Sequence, residues 1–217
     1  MEKLAMLSMG YKIIDCLTKI TKELDPDVTI VHFLDDAILS EIAANDNVIP
    51  ANCYKQLMHI AQAAELCGAQ ALLITCSSIS EFADYARHFL NIPIFKIDEP
   101  MLRLALERGN RIGVVATIPT TLNPTIRQLY NLAEAQGKKP LVEARLVDKA
   151  YEAFSEGNIE LHDTTVQLTI KELCQVCDVV VLAQASMVTV IAGLPDMFRK
   201  KVLSSPQLGI EAVLKSI

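Results

Sequence analysis

A cysteine stands where a hydrophobic run meets a polar turn in the stretch LLITCSSISEFADYA, residues 72–86. This residue is Cys76, and a thiolate at such a place can act as a nucleophile or move a proton at the carbon next to a carboxylate. The stretch VVVLAQASM, residues 179–187, has the same outline about half a chain length later, but Gln184 stands in the place of the cysteine. The chain therefore repeats a pattern of strand and polar turn, but the second copy carries an amide where the first carries a thiol.

The residues after Cys76 could form an anion-binding turn. Residues 78–81 (SISE) fit a capping box, which predicts a helix that begins directly after the cysteine. The free N–H groups and the positive end of such a helix favour negative charge, so they can lower the pKa of a thiol or hold a substrate carboxylate. Ser77 and Ser78 add hydroxyl donors. We expect a thiolate beside a carboxylate-binding site.

A second polar turn follows the run IGVVA at residues 112–116. Thr117, Thr120 and Thr121 supply hydroxyl and backbone N–H donors that could bind another carboxylate. The alternative is that these threonines only cap a helix. Asn123 followed by Pro124 predicts a helix that starts there and ends near Gly137.

Short β-branched runs alternate with helical patterns along the chain. Amphipathic periodicity or stop signals predict helices over residues 11–24 and 54–67. Several of the runs are apolar at successive positions, as in strands buried on both faces. The runs predicted as strands are residues 28–33, 71–75, 93–97, 112–116, 141–147 and 179–183. This alternation predicts an α/β fold with mostly parallel sheets, in which ligands bind beyond the carboxyl ends of the strands.

The composition limits the function classes. The 217 residues are 51% hydrophobic and 21% charged, which is typical of a folded globular protein. The net charge of −6, with no basic cluster longer than the three residues 199–201, argues against nucleic acid as a partner. We see no targeting segment and no apolar run near the roughly 20 residues that a membrane span needs. We expect a soluble cytoplasmic protein whose six cysteines are reduced thiols.

Cys174 and Cys177 form a lone CxxC motif. Zinc is not expected there, because a second CxxC and a nearby histidine pair are missing. We interpret the two cysteines as small buried residues, since a free cysteine packs like a small hydrophobe, and leave redox use as the alternative.

Five segments spread over the chain resemble the aspartate/glutamate/hydantoin racemase superfamily. They are residues 75–78 (TCSS), 97–101 (IDEPM), 113–121 (GVVATIPTT), 181–187 (VLAQASM) and 203–206 (LSSP). The resemblance implies two pseudo-symmetric lobes, each a mostly parallel sheet flanked by helices, with the active site in the cleft between them. We place the N-terminal lobe at residues 1–98 plus 206–217, with a returning C-terminal helix, and the second lobe at 99–205. The resemblance also implies cofactor-independent chemistry, without a metal, at the α-carbon of a small carboxylic acid. It further implies a homo-oligomer.

The resemblance also implies roles for single residues. Racemases of this superfamily use one cysteine from each lobe, and Cys76 matches the first of them. The polar residues that bind the substrate carboxylate correspond to Ser77, Ser78, Thr117 and Thr121. Gln184 stands where the second cysteine belongs, and we place its neighbour Ala185 with the substrate-binding residues.

The glutamine changes the expected reaction. It has no group that titrates near neutral pH, so it cannot be the second acid or base, but it can hydrogen-bond a carboxylate, an amide or an enolate oxygen. No other residue replaces the second thiol in an obvious way. Ser8 and Asp35 are possible cleft residues, although Asp35 can also be a solvated loop carboxylate. We interpret Asp98 as a helix cap.

Three hypotheses remain open. The first is a racemase-family isomerase that uses Cys76 and is one-sided because only one thiol of the pair is present. The second is a single-thiol decarboxylase or lyase, and the third is a small-molecule binding protein that has lost catalysis. A redox-sensing role for Cys76 is a further alternative.

Overall fold

A computed structural model describes residues 2–217 of the chain. The chain divides into two compact units, one formed by Met1–Glu99 with Pro206–Ile217 and the other by Pro100–Ser205. Each unit has its own four-stranded parallel sheet.

The sheet of the first unit has the strand order β2-β1-β3-β4. Its strands are β1 Lys3–Ser8, β2 Thr29–Leu34, β3 Ala71–Ile74 and β4 Ile94–Lys96. All three pairings are parallel, so the carboxyl ends of the four strands meet at one edge of the sheet.

The sheet of the second unit has the order β6-β5-β7-β8, which is the same topology. Its strands are β5 Arg111–Ala116, β6 Leu141–Leu146, β7 Val179–Leu182 and β8 Val202–Ser204. Strand β7 therefore takes the position in its sheet that β3 takes in the other, which agrees with the repeat seen in the sequence.

Helices connect and cover the strands of each sheet, as parallel pairing requires. In chain order they are α1 Ile14–Leu24, α2 Ile38–Ala44, α3 Ala51–Leu66, α4 Phe82–Ala86, α5 Glu99–Arg108, α6 Pro119–Ala135, α7 Asp148–Ser155, α8 Ile159–Val176, α9 Asp196–Arg199 and α10 Ser205–Leu214. Three 3₁₀ segments add to them at Tyr11–Ile13, Ser77–Ile79 and Ala185–Gly193.

The inner strands are buried on both faces. All four residues of β3 and all four of β7 are buried, as are five of the six residues of β1. This explains why these strands read as continuous apolar runs, since a parallel strand covered by helices on both sides has no polar face. In these inner strands, polar side chains are consequently confined to the strand ends.

The predicted α/β class with parallel sheets is confirmed, and the six predicted strands are present, with no end shifted by more than one residue. The sequence reading missed β1 and β8. Strand β8 has only three residues, too few to show a pattern. Strand β1 begins at Lys3, and the sequence pattern predicts no strand or helix before residue 11.

Two predicted helix starts are wrong. Residues 78–81 do not form a capping box, because Ser77–Ile79 is a 3₁₀ turn and α4 begins only at Phe82. Helix α6 begins at Pro119, so Pro124 lies inside the helix and Asn123 does not cap it. Pro119 takes the first-turn position that favours proline.

Two further findings concern the part of the chain from residue 2 to 217. None of the helices in it combines the length and the apolar character that a bilayer span requires. The six cysteines are free thiols, of which Cys53, Cys174 and Cys177 are buried.

The packing of α10 on the end of β4 leads to the first prediction. A Cβ atom added at Gly209 would lie 2.5 Å from the Ile97 carbonyl oxygen and 2.9 Å from its Cα. Because these are backbone atoms that cannot turn away, Gly209→Ala should lower the free energy of unfolding by about 1–3 kcal/mol, measured by urea denaturation. Gly10→Ala is the control, since Gly10 has extended backbone and no atom within 4 Å of an added Cβ. Equal stability of the two variants would contradict this account of the α10 packing.

Candidate active site

Cys76 lies two residues beyond the carboxyl end of β3, after Thr75. Its backbone is extended, with φ −123° and ψ 121°, and it immediately precedes the 3₁₀ turn Ser77–Ile79. The Cys76 Sγ accepts hydrogen bonds from the backbone N–H groups of Ser78 and Ile79 and from the Ser78 hydroxyl. The donors that we expected from an α-helix therefore come from a tighter turn, and all three are directed at the sulfur.

Burial raises the pKa of the Cys76 thiol, and this is the largest influence on it. The three hydrogen bonds act in the opposite direction because they stabilise the thiolate, whereas the negative charge of Asp98 adds to the rise. The sequence suggested a lowered pKa, and the net direction in the structure is the opposite. The net effect favours the protonated thiol over the thiolate.

Asp98 is a site residue whose place near the thiol the sequence reading missed. It is fully buried, and both of its carboxylate oxygens accept hydrogen bonds from the Ser80 hydroxyl at 3.2 Å. The Ser77 hydroxyl donates to the same carboxylate. Burial raises the pKa of Asp98, while the serine hydroxyls and the charge of Lys96 oppose the rise. Asp98 follows β4, which pairs with β3, so the ends of these two strands are neighbours; the sequence pattern shows the position after a strand but not this pairing.

The two possible cleft residues, Ser8 and Asp35, have structural partners. The Thr75 hydroxyl donates to the Leu7 carbonyl oxygen at 3.0 Å, so the Ser8 hydroxyl must be the donor in its 2.8 Å hydrogen bond to Thr75. This contact joins the ends of β1 and β3. The half-buried Asp35 accepts from the backbone N–H of Ala37 at 3.1 Å, just before α2.

Gln184 takes the position after β7 that Cys76 takes after β3. Its backbone angles, φ −119° and ψ 131°, are close to those of Cys76, and it too precedes a 3₁₀ segment, which begins at Ala185. The Gln184 Oε1 atom accepts from the Thr117 backbone N–H at 2.6 Å and from the Thr117 hydroxyl at 3.0 Å.

These contacts fix the orientation of the Gln184 amide. A backbone N–H can only donate, so the atom that faces Thr117 must be the oxygen. The Nε2 atom of this half-buried side chain then presents two N–H donors, and it has no hydrogen-bond partner within residues 2–217. Gln184 is therefore built as a hydrogen-bond donor toward anything that binds beside it.

The structure brings the predicted site residues together in two groups. Cys76, Ser77 and Ser78 form one group in the first unit, and Thr117, Gln184 and Ala185 form the other in the second unit. Thr121 is buried in the first turn of α6, which follows Thr117.

The CxxC motif lies apart from these residues at the end of α8. Cys174 and Cys177 are buried, and the Lys201 Nζ donates to both of their carbonyl oxygens, at 2.8 and 3.0 Å. No cluster of three or more metal-ligating side chains is found in the described part of the chain.

The fold and the strand-end residues define a two-unit α/β protein of the kind that binds small molecules at strand ends. The family model "Asp/Glu/Hydantoin racemase" matches residues 10–213, and the chain belongs to this family. Membership supports a racemase-type function on small acids.

Solved structures with the same fold include three racemases. An aspartate racemase from Picrophilus torridus superposes with a TM-score of 0.73 at 16% identity, covering 100% of this chain and 94% of the other. The glutamate racemase from Aquifex pyrophilus gives 0.66 at 21% identity, covering 99% and 84%. The allantoin racemase from Klebsiella pneumoniae gives 0.66 at 15% identity, covering 99% and 87%. A search of curated proteins found no significant match.

The hydrogen bonds at Cys76 give the second prediction. Ser78→Ala removes the hydroxyl donor to Sγ, so the pKa of Cys76 should rise further and the thiolate fraction at pH 8 should fall. Alkylation of Cys76 by iodoacetamide should slow by roughly two- to tenfold, because one hydrogen bond contributes about 0.5–1.5 kcal/mol. The rate is read by mass spectrometry of the peptide that carries Cys76, and Cys67 in the same digest is the internal control. An unchanged or faster rate at Cys76 would show that the Ser78 hydroxyl does not stabilise the thiolate.

Proposed function

We propose that this protein is a cofactor-independent enzyme that uses Cys76 as its single acid/base group at the α-carbon of a small carboxylic acid. The turn that contains Ser77 and Ser78, together with Thr121, lies at the substrate carboxylate, while the Ser78 hydroxyl stays on the Cys76 sulfur and the Ser77 hydroxyl on Asp98. Thr117 orients Gln184, and Gln184 hydrogen-bonds an oxygen of the substrate. The assignment of both strand ends to one substrate comes from the family resemblance.

The observation that carries the proposal is the contrast between Cys76 and Gln184. Both follow the carboxyl end of an inner strand with nearly the same backbone angles, yet one side chain can exchange a proton and the other can only form hydrogen bonds. A racemase of this family needs an acid and a base on opposite faces of the α-carbon. With one thiol, the protein can serve one face only.

In the isomerase-like form of the reaction, the Cys76 thiolate takes the α-proton and becomes a thiol. The electron pair of the broken C–H bond moves toward the carboxylate and forms an enediolate. The Nε2 donors of Gln184 stabilise the charge that develops on the enediolate oxygen. The thiol then returns a proton to the same face, so that the α-proton exchanges with solvent without inversion.

The protonation state of Cys76 favours a second candidate, a decarboxylase. In that reaction the bond between the α-carbon and a carboxylate breaks, CO₂ leaves, and the electron pair forms an enediolate. The Cys76 thiol then gives its proton to the α-carbon, and the resulting thiolate is protonated again by water. A thiol whose pKa is raised by burial already holds the proton that this step consumes.

The experiment that tests the proposal follows proton exchange at the α-carbon by NMR in D₂O. The panel holds both enantiomers of aspartate and glutamate, hydantoins, and malonate-type acids. We expect exchange of one enantiomer without inversion, or release of CO₂ from a malonate, and a loss of at least about a hundredfold in Cys76→Ser. The Cys67→Ser variant is the control, since Cys67 lies at the end of α3.

Three results would change the conclusion. Interconversion of both enantiomers would require a second acid/base and contradict the single-thiol mechanism. Full activity of Cys76→Ser would remove the thiol from the chemistry. A protein that binds these acids without turning any of them over would be a binding protein.

The donor role of Gln184 gives a separate prediction. Gln184→Glu keeps an oxygen that can accept from Thr117, but it replaces the Nε2 donors by a second oxygen with negative charge. We expect kcat to fall by about 10²–10³-fold, because an oxyanion donor is lost and a like charge is added. Gln184→Ala, which loses the donors without adding charge, should fall less. Equal activity of Gln184→Glu and the unchanged protein would show that these donors do not contact the substrate.

A further inference from the structure

We infer that Asp98 is a positioning residue for Cys76: its buried carboxylate anchors the turn that holds the sulfur, and its charge limits thiolate formation there. Neither the family resemblance nor the sequence pattern gave Asp98 this role. The inference deepens the proposed function, and its meaning for catalysis rests on that function. The link between Asp98 and Cys76 itself can be tested without a substrate.

The anchoring part follows from hydrogen bonds at both ends of the turn. Ser77 precedes the residues that donate to the Cys76 sulfur, and Ser80 follows them. Both serine hydroxyls donate to the Asp98 carboxylate, at 3.2 Å from each oxygen in the case of Ser80. The carboxylate therefore holds the two ends of the segment that aims its N–H groups at the sulfur.

Asp98 acts through other residues. Its relative exposure is 0%, so its oxygens are covered by protein. Cys76 is partly exposed and can meet a substrate directly. The carboxylate can thus set the geometry and the charge environment of the thiol without touching the reacting carbon.

The charge part follows from the surrounding groups. Lys96, two residues earlier on β4, is 8% exposed and pairs with Asp84 of α4 at 2.7 Å. Arg87, just after α4, contacts Asp84 at 3.1 Å and Glu99, at the start of α5, at 3.7 Å. Helix α10 meets the end of β4 through Gly209, which carries no charge.

Lys96 is therefore shared between two carboxylates, and it compensates Asp98 only in part. Two negative charges close together in a poorly hydrated region repel each other strongly. An ionised Asp98 disfavours a thiolate at Cys76. Burial raises the pKa of Asp98, and the serine hydroxyls and Lys96 oppose this rise because they stabilise the charged form. The arrangement maintains a protonated thiol and still supplies it with three donors once the proton has left.

The test is the pH dependence of Cys76 alkylation in Asp98→Asn, read by mass spectrometry of its peptide. Asparagine keeps the size of the side chain and an oxygen for the serine hydroxyls, but it removes the charge. We expect the midpoint of the pH profile to fall by about half a unit to one unit, which makes alkylation at pH 7 roughly three- to tenfold faster. The plateau at high pH should change by less than about twofold, because the plateau reports access to the sulfur and the midpoint reports charge.

Asp84→Asn is the matched control. It removes a carboxylate from the same network, but this carboxylate is 53% exposed and bonded to Lys96 and Arg87. Its midpoint should match that of the unchanged protein. A higher plateau with an unchanged midpoint in Asp98→Asn would mean that Asp98 only packs the turn and would overturn the charge part of the inference. An equal fall of the midpoint in both variants would overturn it as well, since the effect would then belong to net charge.

A second measurement does not need a folded Asp98 variant. The carboxyl ¹³C resonance of Asp98 is followed against pH in the unchanged protein and in Cys76→Ser. Because coupling between two sites is reciprocal, the resonance should show an inflection at the titration of Cys76 that is missing in Cys76→Ser. Identical curves in the two proteins would overturn the inference. Neither measurement uses a substrate, so an absence of turnover would contradict the proposed function and leave the link between Asp98 and Cys76 standing.

Discussion

The burial of inner parallel strands on both faces is the constraint on which the rest of the structure depends. Residues of β3 and β7 cannot carry polar side chains, because no face of these strands meets water. The first positions free of this constraint are those just past the strand ends. Cys76, Thr117 and Gln184 all lie at such positions. The fold thus restricts reactive side chains to the positions past the strand ends, whatever their chemistry is.

The same constraint explains which parts of the fold could be predicted from the sequence. A strand buried on both faces reads as an apolar run, so six of the eight strands were recognisable, and the parallel α/β class followed from their alternation with helices. The helix starts at Ser78 and Asn123 were wrong for physical reasons. The N–H and the hydroxyl of Ser78 donate to the sulfur of Cys76 and so do not cap a helix. Pro119 already provides a favourable first turn for α6.

The candidate site was predictable in its residue types and less so in their contacts. That Cys76 and Gln184 are equivalent could be read from the repeated outline, since each follows an apolar run and precedes small polar residues. The partners of Cys76 and Gln184 could not be read from the sequence, because they depend on which strands become neighbours. Asp98 lies beside Cys76 only because β4 pairs with β3, and Thr117 reaches Gln184 only because β5 pairs with β7. Local pattern carries no information on such pairings.

The two equivalent positions show that nearly the same backbone conformation can carry side chains of different chemistry. Cys76 and Gln184 have backbone angles within about ten degrees of each other, and both precede a 3₁₀ segment. The backbone therefore does not depend on whether a thiol or an amide is present. What differs is the function of the surrounding donors. The three donors around Cys76 favour its thiolate form, whereas at Gln184 the two donors of Thr117 fix the orientation of an amide. One strand end therefore holds a group that can take up and release a proton, and the equivalent strand end of the other unit holds an oriented amide whose N–H groups cannot.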